Sequence, residues 1–342
     1  MSLTGERVTV PVVYIGGCQR SGSTLLDRML SQVPEHLSAG EVVHLWIRGL
    51  SRNELCGCGA AFLDCPFWSE VGRVGFGGWD QIRIEEVVAL QRSVDRNRYI
   101  FFMLMPWLSP RYGRDLRAYT AILERLYGGI HQVGGGATIV DSSKHGSTAF
   151  LLRRVAGLRL RVVHLVRDSR GVAFSLLREV RRPEVVDRAE YMHRASVWRS
   201  SLEWLAFNTA FHLLRVVGTP TEMVRYEDLV RHPRGTIGRI LTFEGALPLA
   251  TDLGFVDGHR VSLGVDHTVA GNPMRFRHGT FDLKVDEAWT GSMRSGQRIL
   301  ATVMTWPLLV AYGYRVGRRR TSPPTARRVG LDVQRCSESS SE

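Results

Sequence analysis

The sequence predicts an α/β protein: a parallel sheet flanked by helices, with a helical cap insertion. Two observations support this fold class. Apolar runs rich in β-branched residues, typical of buried parallel strands, recur along the 342-residue chain, and segments with helical spacing separate them. Such alternation indicates a sheet that is covered on both faces, with its functional site at the carboxyl ends of the strands.

The first strand is expected at 8–15, an apolar run that leads through glycines into a helix. In that helix, apolar side chains fall at helical spacing: Leu25, Leu26, Met29, Leu30 and Val33. Further strands are expected at 137–140, 160–166 and 222–226, and polar residues follow each of them. Since the carboxyl ends of parallel strands meet at one edge of a sheet, these polar residues are expected to lie together.

The longer segments between the strands predict a cap over the sheet. An insert at 53–78 contains several cysteines, and helices are expected over about 80–132, interrupted near Pro106 and Pro110. A long helical pattern then runs from Asp187 to Val217. We expect these segments to cover the edge of the sheet that carries the polar residues.

The end of the chain predicts a final helix and a tail. The last apolar run, Ile299 to Tyr314, contains Pro307 and is shorter than the roughly 20 residues that a membrane span needs. We therefore expect a core helix and no integral membrane association. Residues 317–342 combine arginines with serine and proline, which predicts a disordered basic tail after a single domain at 1–316.

The net charge of +12 limits the classes of partner that the protein is expected to bind. A basic balance suits a polyanionic ligand, a nucleic acid or an anionic membrane surface. The sequence has no nucleic-acid-binding motif, so nucleic acid is not an expected partner, whereas peripheral membrane contact and the oligomeric state stay open. The first residues, MSLTGERVTV, lack the pattern of a secretory signal, and a cytoplasmic location is expected.

The segment GGCQRSGSTLL, at 16–26, has the glycine spacing of a phosphate-binding loop. Ser23 stands where a nucleotide hydrolase carries its lysine. Backbone N–H groups and the start of the helix still bind an anion without that lysine, and Arg20 adds a permanently charged, forked donor. The sheet is therefore expected to be P-loop-like. Its expected anion-binding residues are Arg20, Ser21, Gly22, Ser23 and Thr24.

Together with VVHLVRDSRGVAFSLLR, at 162–178, this loop resembles the two signature elements of sulfotransferases that use 3'-phosphoadenosine 5'-phosphosulfate (PAPS). The resemblance implies that the loop binds the 5'-phosphosulfate. It also implies that Arg167 and Ser175, eight residues later, bind the 3'-phosphate that distinguishes this donor from ATP. An arginine at a strand end and a serine in the next helix can converge on one phosphate.

Three further segments extend the resemblance. SAGEVVHLW is similar to the segment of bacterial and protein-tyrosine sulfotransferases whose Glu is the base, which implies that role for Glu41, with His44 as the competing base. DSSK implies that Lys144, one of only two lysines in the chain, contacts the bridging oxygen of the donor. HTVAGNPMRFRHG resembles the late loop that closes over adenosine and 3'-phosphate, which makes Arg275 and Arg277 candidates.

The implied reaction is transfer of a sulfuryl group from PAPS to an acceptor hydroxyl of a small molecule, glycan or natural product, leaving 3'-phosphoadenosine 5'-phosphate (PAP). Glu41 would take the acceptor proton, while Arg20 and Lys144 would stabilise the leaving side without a required metal. Arg20 and Glu41 place the chain nearer the carbohydrate, tyrosine and bacterial branches than the cytosolic enzymes with a loop lysine and a His base. A P-loop small-molecule kinase and a non-catalytic nucleotide- or anion-binding module are the alternatives.

The cysteines of the insert, Cys56, Cys58 and Cys65, allow three interpretations. They suit zinc with a fourth ligand elsewhere, but their spacing lacks the usual paired CxxC. A disulfide and buried free thiols stay open as well. Cys18 in the glycine loop and Cys336 in the tail have no evident partner.

Overall fold

The computed structural model describes residues 9–182, 190–245 and 252–316. A five-stranded, wholly parallel sheet in the order β2-β3-β1-β4-β5 forms its centre, which confirms the predicted α/β fold class. Its strands are β1 (Val10–Gly16), β2 (His36–Gly40), β3 (Thr138–Lys144), β4 (Leu158–Val166) and β5 (Thr221–Arg225). The predicted tail, including Cys336, lies outside the described residues.

Helices cover the sheet, and a small second sheet lies beside it. The helices are α1 (Ser23–Leu30), α2 (Pro66–Phe76), α3 (Ile84–Val94), α4 (Ile100–Leu104), α5 (Pro110–Val133), α6 (Gly146–Leu152), α7 (Ser169–Leu177), α8 (Val197–Val216), α9 (Tyr226–Arg231), α10 (Pro233–Glu244), α11 (Ala288–Ser292) and α12 (Ser295–Ala311). The antiparallel strands are β6 (Val256–Asp257), β7 (Arg260–Leu263) and β8 (Gly279–Asp282).

The central strand β1 explains why its sequence is a continuous apolar run. Val12 and Tyr14 belong to the core on one face of the sheet, and Val13 and Ile15 belong to the core on the other. Successive side chains of a strand point to opposite faces, so a sheet that is buried on both sides needs apolar residues at every position. Tyr14 is apolar except for its hydroxyl, which donates to the backbone carbonyl of His145 at 2.7 Å.

The cap is helical, and two of its helical segments begin at prolines. Helix α5 starts at Pro110, and the Oγ of Ser109 caps it by accepting a hydrogen bond from the backbone N–H of Tyr112 at 3.4 Å. Pro106 begins a short 3₁₀ turn between α4 and α5. Proline has no N–H to donate and fits the first turn of a helix, so both residues begin helical segments instead of interrupting one.

Two predicted boundaries are wrong. The strand expected at 137–140 runs on to Lys144, so the polar DSSK segment is part of β3 and not a loop after it. The helix expected from Asp187 begins at Val197, and residues 190–196 are not helical, whereas 183–189 lie outside the described residues. In β3 the sheet overrides the low strand propensity of Asp and Ser, because Asp141 pairs with both β1 and β2 and the Ser142 hydroxyl donates to the buried Asp27.

Helix α12 is buried on one face and exposed on the other, so the prediction of a core helix holds for one face only. Its buried positions include Ala301, Thr305 and Leu309, which lie on one face. The opposite face exposes large apolar side chains: Ile299, Leu300, Val303, Trp306 and Val310. Because apolar residues occur on both faces of α12, its sequence predicted a helix that is buried all round. Within the described residues, the rest of the protein covers only one of the two faces. No helix within the described residues is long and apolar enough to cross a membrane.

Candidate active site

Strand ends meet around the glycine loop. β1 lies between β3 and β4, so the loop after Gly16 is flanked by Lys144 at the end of β3 and by Arg167 directly after β4. Gly16 is paired in register with Lys144. β2 lies on the far side of β3 and delivers Glu41 to the same edge. The parallel sheet therefore gathers residues from distant chain segments at one edge.

The path of the loop requires glycine at two positions. Gly17 and Gly22 have φ angles of 145° and 93°, in the region that favours glycine. A Cβ on Gly17 would lie 2.2 Å from the carbonyl oxygen of Leu165, and one on Gly22 would lie 2.5 Å from the ring of Tyr226. The loop backbone therefore packs directly against β4 and α9, which no other residue type allows.

Two polar groups of the loop are buried without a partner. Nη2 of Arg20 and Oγ of Ser21 are closed to solvent, and neither has a hydrogen-bond partner among the described residues. Ser23 and Thr24 are buried in the first turn of α1. An unsatisfied buried donor costs free energy, and an anion at this helix start would satisfy it. The loop therefore fits a phosphate or sulfate group.

Arg167 points into the cleft that contains the glycine loop. Its Nη1 donates to the backbone carbonyl of Arg20 at 3.0 Å, and its guanidinium lies 4.6 Å from the centre of the Tyr226 ring. Nη2 donates to a carboxylate oxygen of Asp286 at 3.1 Å. Burial, followed by the charge of Arg167, lowers the pKa of Arg20. The two arginines therefore form one cationic region, which Asp286 partly neutralises.

Glu41, Lys144 and His44 form a second cluster at the same edge. Oε1 of Glu41 accepts a hydrogen bond from Nζ of Lys144, and its Oε2 lies 3.4 Å from Nε2 of His44. Burial by itself would raise the pKa of Glu41, but the charge of Lys144, followed by that of His44, outweighs burial and lowers it to about 2. Burial also lowers the pKa of His44 to about 3. At neutral pH the cluster is an ionised carboxylate between an ammonium group and a neutral imidazole.

The backbone beside Glu41 is fixed by the late loop. The N–H of Glu41 donates to the carbonyl of Val269 at 2.8 Å, and the N–H of Val269 donates to the carbonyl of Ala39 at 3.0 Å. Lys144 has a φ of 69°, a conformation that a lysine rarely adopts. Strained backbone of this kind persists only where the surrounding structure imposes it, as the pairing of β1 with β3 does at Lys144.

The other predicted binding residues lie on two further segments. Ser175 is partly buried near the end of α7. Arg275 is fully buried and donates to the backbone carbonyl of Thr268 at 2.7 Å, so it braces the late loop from inside. Arg277 is exposed and lines a cavity of about 150 Å³ together with Tyr226. A donor-binding role for Ser175, Arg275 and Arg277 stays a prediction.

Asp286 is a member of the site that the sequence did not suggest. It lies 119 residues after Arg167, in the segment between β8 and α11, and nothing in the local pattern of either segment pairs the two. Hydrogen bonding to Arg167 lowers the pKa of Asp286 although its partial burial acts in the opposite direction. The carboxylate thus holds the place on Arg167 that an anionic ligand could take.

The cysteines of the insert meet a histidine that is distant in sequence. Cys56, Cys58 and Cys65 place their sulfur atoms, together with a ring nitrogen of His267, within 4.8 Å of one another. The cysteines within the described residues are all free thiols, Cys18 among them. The disulfide interpretation is therefore not the one that the structure adopts. His267 was missed because no spacing rule connects it to the insert.

A family model described as "Sulfotransferase family" matches residues 11–53. This segment contains the core of β1, the glycine loop, α1, β2 and Glu41. Over this segment, which carries the glycine loop and Glu41, the chain is similar to the sulfotransferase family. The resemblance predicted from the sequence motifs is thereby confirmed.

Solved sulfotransferase structures are also similar to this chain. The sulfotransferase domain from the olefin synthase of Synechococcus PCC 7002 has 20% sequence identity, with 91% of this chain and 97% of that chain covered and a TM-score of 0.46. The sulfotransferase domain from the curacin biosynthetic pathway has 15% sequence identity, with 90% of this chain and 99% of that chain covered and a TM-score of 0.46. A sulfotransferase from Alicyclobacillus acidocaldarius has 14% identity, with 90% and 98% covered and a TM-score of 0.38.

Proposed function

We propose that the protein transfers a sulfuryl group from PAPS to a hydroxyl group of a small molecule, glycan or natural product, and that PAP is the other product. One observation carries the choice of donor. Arg20 in the glycine loop and Arg167 after the adjacent strand are joined by a hydrogen bond, and the loop holds buried donors without partners. A ligand with anionic groups at two positions suits this region better than one with a single anionic end.

Different residues of the chain would bind the two anionic ends of the donor. The loop residues would hold the 5'-phosphosulfate: Arg20, Ser21, Gly22, Ser23 and Thr24. Arg167 and Ser175 would hold the 3'-phosphate, with Arg275 and Arg277 contributing from the late loop. Arg167 must then exchange the carboxylate of Asp286 for the phosphate, and the side chain of Asp286 is 37% exposed, so it is free to swing into solvent. When bound, PAPS supplies the activated sulfuryl group.

We infer that Glu41 is the general base and that Lys144 controls its strength. In the structure Lys144 is paired with Glu41 and holds the pKa of that carboxyl at about 2, which makes it a weak base. If the ammonium group of Lys144 turns toward the anionic donor, the largest influence that opposes burial is lost, and the pKa of Glu41 rises. Glu41 then accepts the acceptor proton, while Arg20 and Lys144 neutralise charge on the leaving side.

We further propose that the acceptor enters between the cap and α8. A cavity there of about 320 Å³ is lined by Asp95 and Asn97 from the cap, by His145 and by Phe207. The ring of His145 packs edge-on against that of His44 at 5.9 Å, so the cavity ends next to the Glu41 cluster. Its polar lining suits a hydroxylated acceptor.

Isothermal titration calorimetry tests the donor. We expect PAP to bind with a Kd of about 1 µM or tighter and ATP to bind at least about 100-fold more weakly, since each tenfold change corresponds to about 1.4 kcal/mol. ATP lacks the 3'-phosphate, and the loop lacks the lysine that would hold a γ-phosphate. Equal affinities for the two nucleotides would contradict the proposed donor and favour the kinase alternative.

Arg167→Ala should weaken PAP binding by more than about 1.5 kcal/mol, or roughly tenfold, because a charge-assisted contact to a phosphate is lost. ATP binding should change little. Arg159→Ala is the matched control, since Arg159 is exposed near the opposite end of the same strand, β4. An unchanged PAP affinity in Arg167→Ala would show that this arginine does not contact the nucleotide. Calorimetry on the three proteins measures the effect.

A further inference from the structure

A cluster of metal-binding side chains lies outside the site described above. Sγ of Cys65 is 3.2 Å from Nδ1 of His267 and 3.7 Å from Sγ of Cys58. Sγ of Cys56 is 3.9 Å from the same Nδ1. Cys56 and Cys65 are fully buried, and all four ligand atoms lie within 4.8 Å of one another.

We propose that Cys56, Cys58, Cys65 and His267 bind a structural zinc ion. A tetrahedral ion with Zn–S bonds of about 2.3 Å and Zn–N bonds of about 2.0 Å separates its ligands by about 3.8 Å (S to S) and about 3.5 Å (S to N). The observed separations of 3.2, 3.7 and 3.9 Å fall around these values. Four protein ligands leave no open position, which is the pattern of structural and not catalytic zinc.

The insert folds into a turn that presents its sulfur atoms to one point. The N–H of Cys56 donates to the carbonyl of Ala60 at 2.8 Å, and the N–H of Gly59 donates back to the carbonyl of Cys56 at 2.9 Å. Gly59 has a φ of 90°, which favours glycine and closes the turn. Cys65 directly precedes α2, where the positive end of the helix stabilises a thiolate, the form that zinc binds.

His267 is held in place by groups around it, as a metal-binding histidine usually is. Its ring stacks on that of Phe67, with centroids 5.1 Å apart and an interplanar angle of 15°. Its backbone carbonyl accepts a hydrogen bond from Nε1 of Trp68 at 2.7 Å. Both aromatic residues follow Cys65 in α2, so the helix that begins at one ligand also orients another.

The ion would tie the insert to the late loop beside the active site. On one side of His267, Asp266 forms a buried ion pair with Arg28 of α1 at 2.9 Å. On the other side, Val269 exchanges backbone hydrogen bonds with the segment that ends at Glu41. Zinc would therefore fix the backbone next to Glu41 from a distance and does not require a change in the proposed chemistry.

The metal content of the full-length protein tests this proposal independently of activity. Protein that is expressed with zinc, freed of any histidine tag and purified without chelator should contain about one zinc per chain by inductively coupled plasma mass spectrometry. Cys65→Ser and His267→Gln should each lower the zinc content at least about fivefold, since loss of even an outer-shell partner of a ligand typically costs about 10–100-fold in metal affinity. Cys18→Ser and His259→Gln are matched controls outside the cluster and should retain the metal.

A second measurement keeps the proposal testable if the ligand variants do not fold. Modifying the wild-type thiols with a mercurial in the presence of a chromogenic zinc chelator should release about one zinc per chain. A separate, unmodified sample that is denatured in the presence of chelator should show all five thiols of the sequence. Protein that contains no zinc and takes up none after reduction and zinc addition would overturn the proposal. A count two thiols short would overturn it in favour of a disulfide.

Discussion

Glu41→Gln is expected to lower turnover about 100-fold or more while PAP affinity stays within about twofold of wild type. Glutamine has the shape of glutamate but cannot accept the acceptor proton at neutral pH. Glu41 is buried, and its polar contacts are with Lys144 and His44, so the loss falls on the proton transfer and not on nucleotide binding. Steady-state sulfation rates and calorimetry with PAP measure the two quantities separately.

His44→Gln is the matched variant for this experiment, because His44 lies beside the same carboxylate. We expect a smaller loss from it than from Glu41→Gln, since burial keeps the pKa of His44 low, whereas the pKa of Glu41 is proposed to rise when Lys144 turns toward the donor. The acceptor needed for the assay is found by incubating a metabolite extract with enzyme and donor and searching for the added sulfate mass. Normal turnover in Glu41→Gln would transfer the role of base to His44.

Lys144→Met is expected to lower turnover about 100-fold and to destabilise the protein by about 3 kcal/mol at pH 7. Methionine keeps the length of the side chain but leaves Glu41 as a buried carboxylate without its ammonium partner. The catalytic loss follows because the leaving side of the donor then lacks a charge that stabilises it. Urea unfolding measures the stability, and Lys284→Met, at an exposed lysine, is the control.

The pH dependence of stability tests the same pair. In the wild type the pKa of Glu41 is lowered to about 2, so the ion pair stabilises the fold fully above the ordinary carboxyl pKa of 4.5 and less as the pH falls toward 2. In Lys144→Met burial raises that pKa, so the deficit should shrink as the pH falls from 7 to 5 and Glu41 becomes protonated. The double variant with Glu41→Gln should be more stable than Lys144→Met alone. A deficit that is the same at both pH values would contradict the assigned cause.

The parts of the site that were predicted from sequence are those that local patterns encode. The apolar run before Gly17 and the glycine spacing define a strand, a loop and a helix within one continuous segment. Lys144 and Arg167 were expected nearby because they end other strands, and parallel strands end at one edge. In each case a short-range pattern combines with a general rule of sheet geometry.

The parts that were missed depend on contacts between distant segments. β2 is the five-residue segment HLSAG, which has few β-branched residues and is a strand because it pairs with β3. The partners of His267 and Asp286 lie more than 100 residues away in the chain, at Cys65 and Arg167. The exposed face of α12 shows the same limit, since apolarity in a sequence does not state whether a neighbour exists to cover it.

The part of the cap that α2 to α5 form is one uninterrupted stretch of chain between β2 and β3, whereas the glycine loop and Arg167 directly follow strands of the sheet. Under the proposed function, a graft of 84–133 from a homologous enzyme would replace the part of the acceptor cavity that Asp95 and Asn97 line and would leave the glycine loop and Arg167 unchanged. Exchanging this one segment would then change which acceptor is bound, while the proposed donor site stays the same.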